Sequence, residues 1–210
     1  MAAPSSGTNW PAYYAATAGA PPRPTLLHAL ERFDREPPTR RRRFAVDLGC
    51  GVGRDTLELL RRRWRVLAVD AEPAAVESLV RRAERCQRRY LSARIASMEQ
   101  VAWPQADLVN ASFALPFCSP LKFASVWSEI VRSLRVGGRF AGQFFGERDE
   151  WASLPDRTHH SRAAVNALLR GFEIELLQEA EFDGHTARGD PHHWHVFHVV
   201  GRRVSSAARG

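Results

Sequence analysis

The segment Asp47-Leu48-Gly49-Cys50-Gly51-Val52-Gly53 constrains the fold of this chain more than any other stretch. It closes a short apolar run, Phe44-Ala45-Val46-Asp47-Leu48. It precedes Arg54 to Arg63, where Leu57, Leu59 and Leu60 fall at helical spacing. A buried strand, a glycine turn and a helix together open a βαβ unit. Alternate glycines allow a tight turn and let a ligand reach the backbone with no Cβ in the way. Such a turn lies at the carboxyl ends of the strands, where open α/β sheets hold their ligands.

The rhythm continues downstream. Val66-Leu67-Ala68-Val69 reads as a second buried strand, and Glu72-Pro73 opens a helix with Pro in its first turn, followed by Val76, Leu79 and Val80. A weak strand is expected around Arg94-Ile95-Ala96 and another at Asp107-Leu108-Val109. Phe123, Val126, Trp127, Ile130, Val131 and Leu134 mark a helix that Gly137-Gly138 should stop, with a strand over Phe140 to Phe145 after it. Phe172 to Glu181 and His195 to Val200 have only a loop between them, which demands an antiparallel pair. The expected fold is therefore α/β: a Rossmann-like, doubly wound, seven-stranded sheet, mostly parallel with an antiparallel C-terminal strand. A length of 210 residues suits one domain. Residues 1–36 read as an N-terminal arm and helix, a potential lid, and 37–210 as the main domain. The first 22 residues suggest a loose arm or a single helical turn ending at Pro21-Pro22.

Composition removes several classes. The net charge of +7 raises the question of nucleic acid, yet Lys122 is the only lysine, and arginine used in its place is a signature of base composition. Cys50, Cys86 and Cys118 are odd in number and form no CxxC pair, which fits a reducing interior and argues against a thiolate metal site. No window nears the roughly 20 apolar residues of a membrane helix. Met1 to Asn9 lack the pattern of a secretory signal. A cytoplasmic protein is expected.

A second acid sharpens the ligand. Asp70 ends the second strand, seventeen positions after Gly53, where a carboxylate can accept from both hydroxyls of a ribose. A dinucleotide fingerprint wants its third small residue three places after the second glycine, where this chain has Arg54. Asp47, just before the loop, would repel a pyrophosphate and suit a ligand bearing an ammonium.

These residues resemble the class I S-adenosylmethionine-dependent methyltransferases. Asp47 with the G-x-G-x-G loop matches their first motif and Asp70 their second; Asp107-Leu108-Val109-Asn110-Ala111 looks like their fourth-strand motif. Leu134 to Phe140 looks like their helix-to-fifth-strand turn, with Val136 in place of the usual proline. Small stand-alone enzymes of the tellurite-resistance type are the nearer likeness, through Arg54-Asp55-Thr56 and the late His-Trp-His strand. The resemblance implies S-adenosylmethionine as cofactor. Asp47, Gly49, Cys50, Gly51 and Gly53 would cradle its methionine part and ribose, with Asp70 on the ribose hydroxyls. Ser97-Met98-Glu99 takes the adenine position, Glu99 or Ser97 with the Met98 backbone standing in for the family's usual acid. Asn110 and Ala111 would line the sulfonium side, Tyr14 of the aromatic arm would close over the cofactor, and Arg23 would pair with its carboxylate.

The resemblance favours a small-molecule acceptor and direct in-line transfer, for which no catalytic base is required. Asn110-Ala111-Ser112-Phe113 lacks both prolines of the [DN]-P-P-[YF] motif of amino-methylating enzymes. An RNA methyltransferase is the alternative, its evidence being Arg40 to Arg43, Arg61 to Arg63 and Arg81 to Arg89. A cofactor-binding protein without catalysis is a third reading. In the closing strand His193 and His195 should share one face, Trp194 and His198 the other. Packing is the first expectation for these histidines, and no metal site is expected.

Overall fold

A computed structural model describes residues 9–205 of the chain; the absence of a leader pattern and the start of the arm concern residues 1–8, which lie outside the described residues. One mixed sheet organises the molecule. Its strands are β1 (Phe44–Leu48), β2 (Arg65–Asp70), β3 (Leu91–Ile95), β4 (Ala106–Ala111), β5 (Leu134–Gly146), β6 (His159–His160), β7 (Phe172–His185) and β8 (Pro191–Arg203). The order β3-β2-β1-β4-β5-β8-β7 is the expected seven-stranded path, parallel up to β5 and antiparallel across β8 and β7. β6 is an eighth, two-residue strand that pairs parallel with Phe145 and Gly146 of β5.

Alternation along the central strands sends neighbours to opposite layers. Ala45, Val66, Ala68, Leu108, Ala141 and Val200 face α2 (Pro24–Asp34), α3 (Arg54–Arg61) and α4 (Pro73–Arg82). Val46, Leu48, Leu67, Val69, Val109, Phe140 and Phe144 face α5 (Pro120–Ser133) and α6 (Arg162–Leu168). β4 is buried at all six positions, as a central parallel strand between two helical layers must be. α2 enters the same core through Leu26, Ala29, Leu30 and Phe33.

Two local expectations need correction. The arm forms a two-turn helix, α1 (Trp10–Thr17), capped by the Asn9 side chain and followed by Gly19 and the two prolines. Gly137-Gly138 does not stop α5: the helix ends at Ser133, and Leu134 already pairs with Ala106 in the sheet. The glycines instead form an irregularity inside β5. Gly138 is needed there because a Cβ would lie 2.9 Å from the carbonyl oxygen of Asp107.

Many arginines of the basic runs are spent on internal partners. Arg41 grips Asp107 with two bonds of 2.6 and 2.7 Å at the amino ends of the strands, and Arg61 and Arg62 both bind Glu58. No helix among the described residues is long and apolar enough to cross a membrane.

Candidate cofactor site

The strand order reverses between β1 and β4, so a crevice opens at their carboxyl ends. The glycine loop fills its floor. Gly49, Gly51 and Gly53 all take positive φ (67°, 52° and 90°), a backbone that L side chains rarely adopt. Gly53 caps α3, where a Cβ would meet the Leu79 side chain at 2.4 Å. The cleft is lined by Asp47, Gly49, Cys50 and Gly51 from the loop, Tyr14 and Arg23 from the N-terminal segment, and also Tyr13, Thr17, Val52, Arg54, Asp55 and Ser112.

Beneath the loop lies a buried polar network. Asn110 donates from Nδ2 to Asp47 Oδ1 at 2.8 Å and to Asp55 Oδ2 at 3.0 Å, and the Thr56 hydroxyl donates to Asp47 Oδ2. Asp55 Oδ1 accepts the Arg23 backbone N–H at 2.8 Å. Burial, reinforced by the Asp55 charge, pushes the Asp47 carboxyl well above the usual range, and the Thr56 and Asn110 donors only partly offset this. Two acids under an open glycine loop form a negative pocket that would welcome a ligand ammonium.

A pH signature follows from that network. The folded chain holds a proton on Asp47 at pH values where the unfolded chain has lost it, so this group lowers stability as pH rises through that interval. Asp47→Asn should therefore leave Tm little changed near pH 4 and raise it by about 2–4 °C at pH 8, roughly 1 kcal/mol for a chain of this size. Calorimetric scans across pH check this; equal shifts at both ends would contradict it.

Asp70 sits at the far side of the loop. Its Oδ2 accepts the Gly51 N–H at 2.7 Å and its Oδ1 the Glu72 N–H at 2.9 Å. The Tyr14 hydroxyl lies 3.1 Å from both oxygens. Burial and the neighbouring Asp70 charge raise the Tyr14 pKa, so its hydroxyl stays protonated and donates. α1 is held over the loop from several directions. Arg82 donates to the carbonyls of Val52 and Ala18, at 2.6 and 2.8 Å. Trp10 packs on Phe117 with centroids 4.9 Å apart and stacks on Tyr14.

The remaining sequence-derived residues lie outside the cleft lining. Asn110 and Ala111 are fully buried, Asn110 acting through the acids. Met98 packs against the core, and Glu99 Oε1 accepts the Ser119 N–H at 2.8 Å near the start of α5. Ser97 Oγ accepts the Glu99 N–H. Asp55, Thr56, Thr17, Arg54 and Ser112 were not assigned to the site by sequence reasoning. Asp55 and Thr56 carried a signal, standing directly after the glycine loop. His193 and His195 do share a face, turned to Glu179, Glu181 and Asp183, while Trp194 and His198 lie on the face of Phe113. Among the described residues no group of three or more His, Cys, Asp or Glu is arranged to hold a metal ion.

Residues 45–138, from β1 into the turn of β5, match a family described as a methyltransferase domain. The matched segment holds the glycine loop, Asp47 and Asp70. S-adenosylmethionine is the cofactor of the matched family. No curated protein matches the sequence significantly. Among solved structures, TehB from Haemophilus influenzae superposes with a TM-score of 0.69 at 14% identity, covering 86% of this chain and 62% of that one. This chain thus spans less than two thirds of the TehB chain. The 1,6-didemethyltoxoflavin-N1-methyltransferase of Burkholderia thailandensis, solved with 1,6-didemethyltoxoflavin and S-adenosylhomocysteine, gives a TM-score of 0.65 at 18% identity over 98% of this chain and 94% of that one. The N-methyltransferase NodS of Bradyrhizobium japonicum WM9 with S-adenosylhomocysteine gives 0.62 at 15%, over 86% and 84%. At these identities the likeness is one of fold, and the matched residues 45–138 carry β1 to the start of β5 with the glycine loop of the cleft.

Proposed function

We propose that this protein is a cytoplasmic methyltransferase that binds S-adenosylmethionine and transfers its methyl group to a small molecule. The observation that carries the reading is the charge layout around the glycine loop. The acids Asp47 and Asp55 lie beneath it, and the Arg23 guanidinium at its rim donates to the Tyr13 hydroxyl and pairs with no carboxylate among the described residues. An amino acid carrying both an ammonium and a carboxylate fits between them. Asp70, buried behind the Tyr14 hydroxyl that lines the cleft, offers two oxygens that fit a ribose once Tyr14 moves aside.

When bound, the cofactor supplies a methyl on a sulfonium, and the bond to sulfur breaks as the acceptor's lone pair forms the new one. The residues of this chain have the tasks of binding and orienting. Asp47 and Asp55 hold the ammonium, Arg23 the carboxylate and Asp70 the ribose. Ser112, next to buried Ala111 at the end of β4, borders the methyl side. Alignment of nucleophile and methyl can supply roughly 7–11 kcal/mol of the barrier reduction in well-oriented systems. The three cysteines are free thiols, in keeping with a reducing compartment.

In this reading α1 is the lid. Tyr14 holds both oxygens of Asp70, so ribose hydroxyls must displace it. Tyr14→Phe should tighten S-adenosylhomocysteine binding about 3- to 10-fold, because a charge-assisted hydrogen bond no longer competes. Weaker binding in a calorimetric titration would contradict the lid. The acceptor class is tested by incubating the protein and labelled S-adenosylmethionine with cell extract, then separating by size. Label should enter the low-mass fraction; label confined to RNA would overturn the small-molecule acceptor.

A further inference from the structure

We propose that the methyl acceptor is a planar aromatic molecule bearing an anionic or carbonyl oxygen, seated against a cup of four rings at the carboxyl end of β5. This rests on the methyltransferase reading above. The hub is Phe145, 1% exposed. Its ring centroid lies 6.5 Å from Phe113, 6.0 Å from Phe117, 5.8 Å from Trp151 and 6.0 Å from Trp194, and each of those rings is tilted 55–70° to it. All four surrounding rings are only partly buried. They come from three separate segments: the loop after β4, the turn after β5, and β8. Phe113 follows Ser112 of the cleft wall, and the exposed parts of these rings provide stacking surface for an acceptor beside the cleft.

The cup is held in shape by a dedicated contact. Phe113 is one of two described non-glycine residues with positive φ (52°). Its N–H donates to Gln143 Oε1 at 2.9 Å, and the buried Gln143 donates from Nε2 to Thr25 Oγ1 at 3.0 Å. An uncommon backbone held by a buried amide sets the direction of the Phe113 ring, and such strain concentrates at functional sites.

Rings in this arrangement can also enclose a quaternary ammonium, so the surrounding charges decide the guest. Arg23 stacks on Phe113 at 4.4 Å, and Arg157, paired with Asp156 at 2.9 Å, stacks on Phe117 at 4.7 Å. The nearby carboxylates are engaged: Asp149 accepts from the Trp151 and His195 N–H groups and meets His192 Nε2, and Glu150 accepts the His193 N–H. His198 stands edge-on to Phe113 at 6.2 Å, with the Gln143 amide nitrogen 3.5 Å from its Nδ1. That neighbour favours the proton on Nε2, and burial together with Arg23 keeps the ring neutral at pH 7. Two guanidiniums already lie over rim rings, which leaves little room for a further cation there, and the His198 N–H suits an electron-rich oxygen.

The test uses the full chain saturated with S-adenosylhomocysteine and four probes in saturation-transfer NMR: 4-hydroxybenzoate, nicotinate, cyclohexanecarboxylate and benzyltrimethylammonium. The aromatic carboxylates should bind about tenfold more tightly than the other two, as ring stacking of about 1.4 kcal/mol implies. Trp194→Leu should abolish that preference and Trp194→Phe should keep it, with S-adenosylhomocysteine binding retained in both. Equal or tighter binding of benzyltrimethylammonium, no binding of either aromatic carboxylate, or indifference to Trp194→Leu in a cofactor-competent variant would overturn the proposal. Failure of the wild-type chain to bind S-adenosylhomocysteine would instead overturn the reading beneath it.

Discussion

Replacing Asp70 by alanine is expected to weaken S-adenosylhomocysteine binding on the order of 100-fold, about 3 kcal/mol for the loss of two hydrogen bonds to a charged acceptor. Each Asp70 oxygen already takes one backbone donor, from Gly51 or Glu72, and the Tyr14 hydroxyl lies against both. Asp70→Asn, which keeps one acceptor oxygen, should fall between wild type and alanine. The Tyr14 effect should vanish in the Asp70→Ala background, since the two residues act on one site and cannot add. Calorimetric titration of the wild type, the three single variants and the Asp70→Ala/Tyr14→Phe double variant checks all of this. Alanine binding within threefold of wild type would remove Asp70 from the ribose site.

The second large effect concerns stability. Arg139 of β5 is buried, with Nε 2.6 Å and Nη2 2.9 Å from the two oxygens of Glu175, which lies on β7. Its Nη1 reaches Glu36 just beyond α2, and its guanidinium lies over the Phe33 ring at 4.2 Å. Arg43, entering β1, binds Glu36 at 2.9 Å as well. One cation of β5 therefore ties the segment after α2 to β7. Arg139→Met takes the two-pronged partner from the largely buried Glu175 and leaves only Arg32, with Nε 4.0 Å away, which should cost about 3 kcal/mol, the low end for breaking a buried pair, or roughly 10 °C in Tm. Adding Glu175→Met should restore most of the loss, because the uncompensated charge and not the missing pair is the source of the cost. A single variant as stable as wild type in thermal or urea unfolding would show that water reaches Glu175.

What could be read from the sequence was local. β1, the glycine loop and Asp70 were legible because each is a short apolar run or a turn with its own residue signature. So was the antiparallel end of the sheet, since the loop between β7 and β8 is too short for a crossover. The bulge at Gly137-Gly138 was not, because its cause is the Asp107 carbonyl on another strand. Neither was β6, whose two residues carry no periodicity and exist only through pairing to Phe145 and Gly146. Within the site, Asp47 was legible but its coupling to Asp55 was not, since Asn110 joins them from 55 and 63 positions away. The resemblance puts Tyr14 of the aromatic arm over the cofactor; its grip on Asp70 depends on the fold of α1 across the loop. Of the basic runs, Arg41, Arg61 and Arg62 have their acids close by, which charge alone does not reveal.

The central claim, that the cleft over Asp47 to Gly53 binds S-adenosylmethionine, is tested most directly by titrating S-adenosylhomocysteine into the full chain in a calorimeter. The expected result is one saturable site per chain with a dissociation constant in the micromolar range, about −8 kcal/mol. No heat of binding at millimolar ligand would contradict the claim.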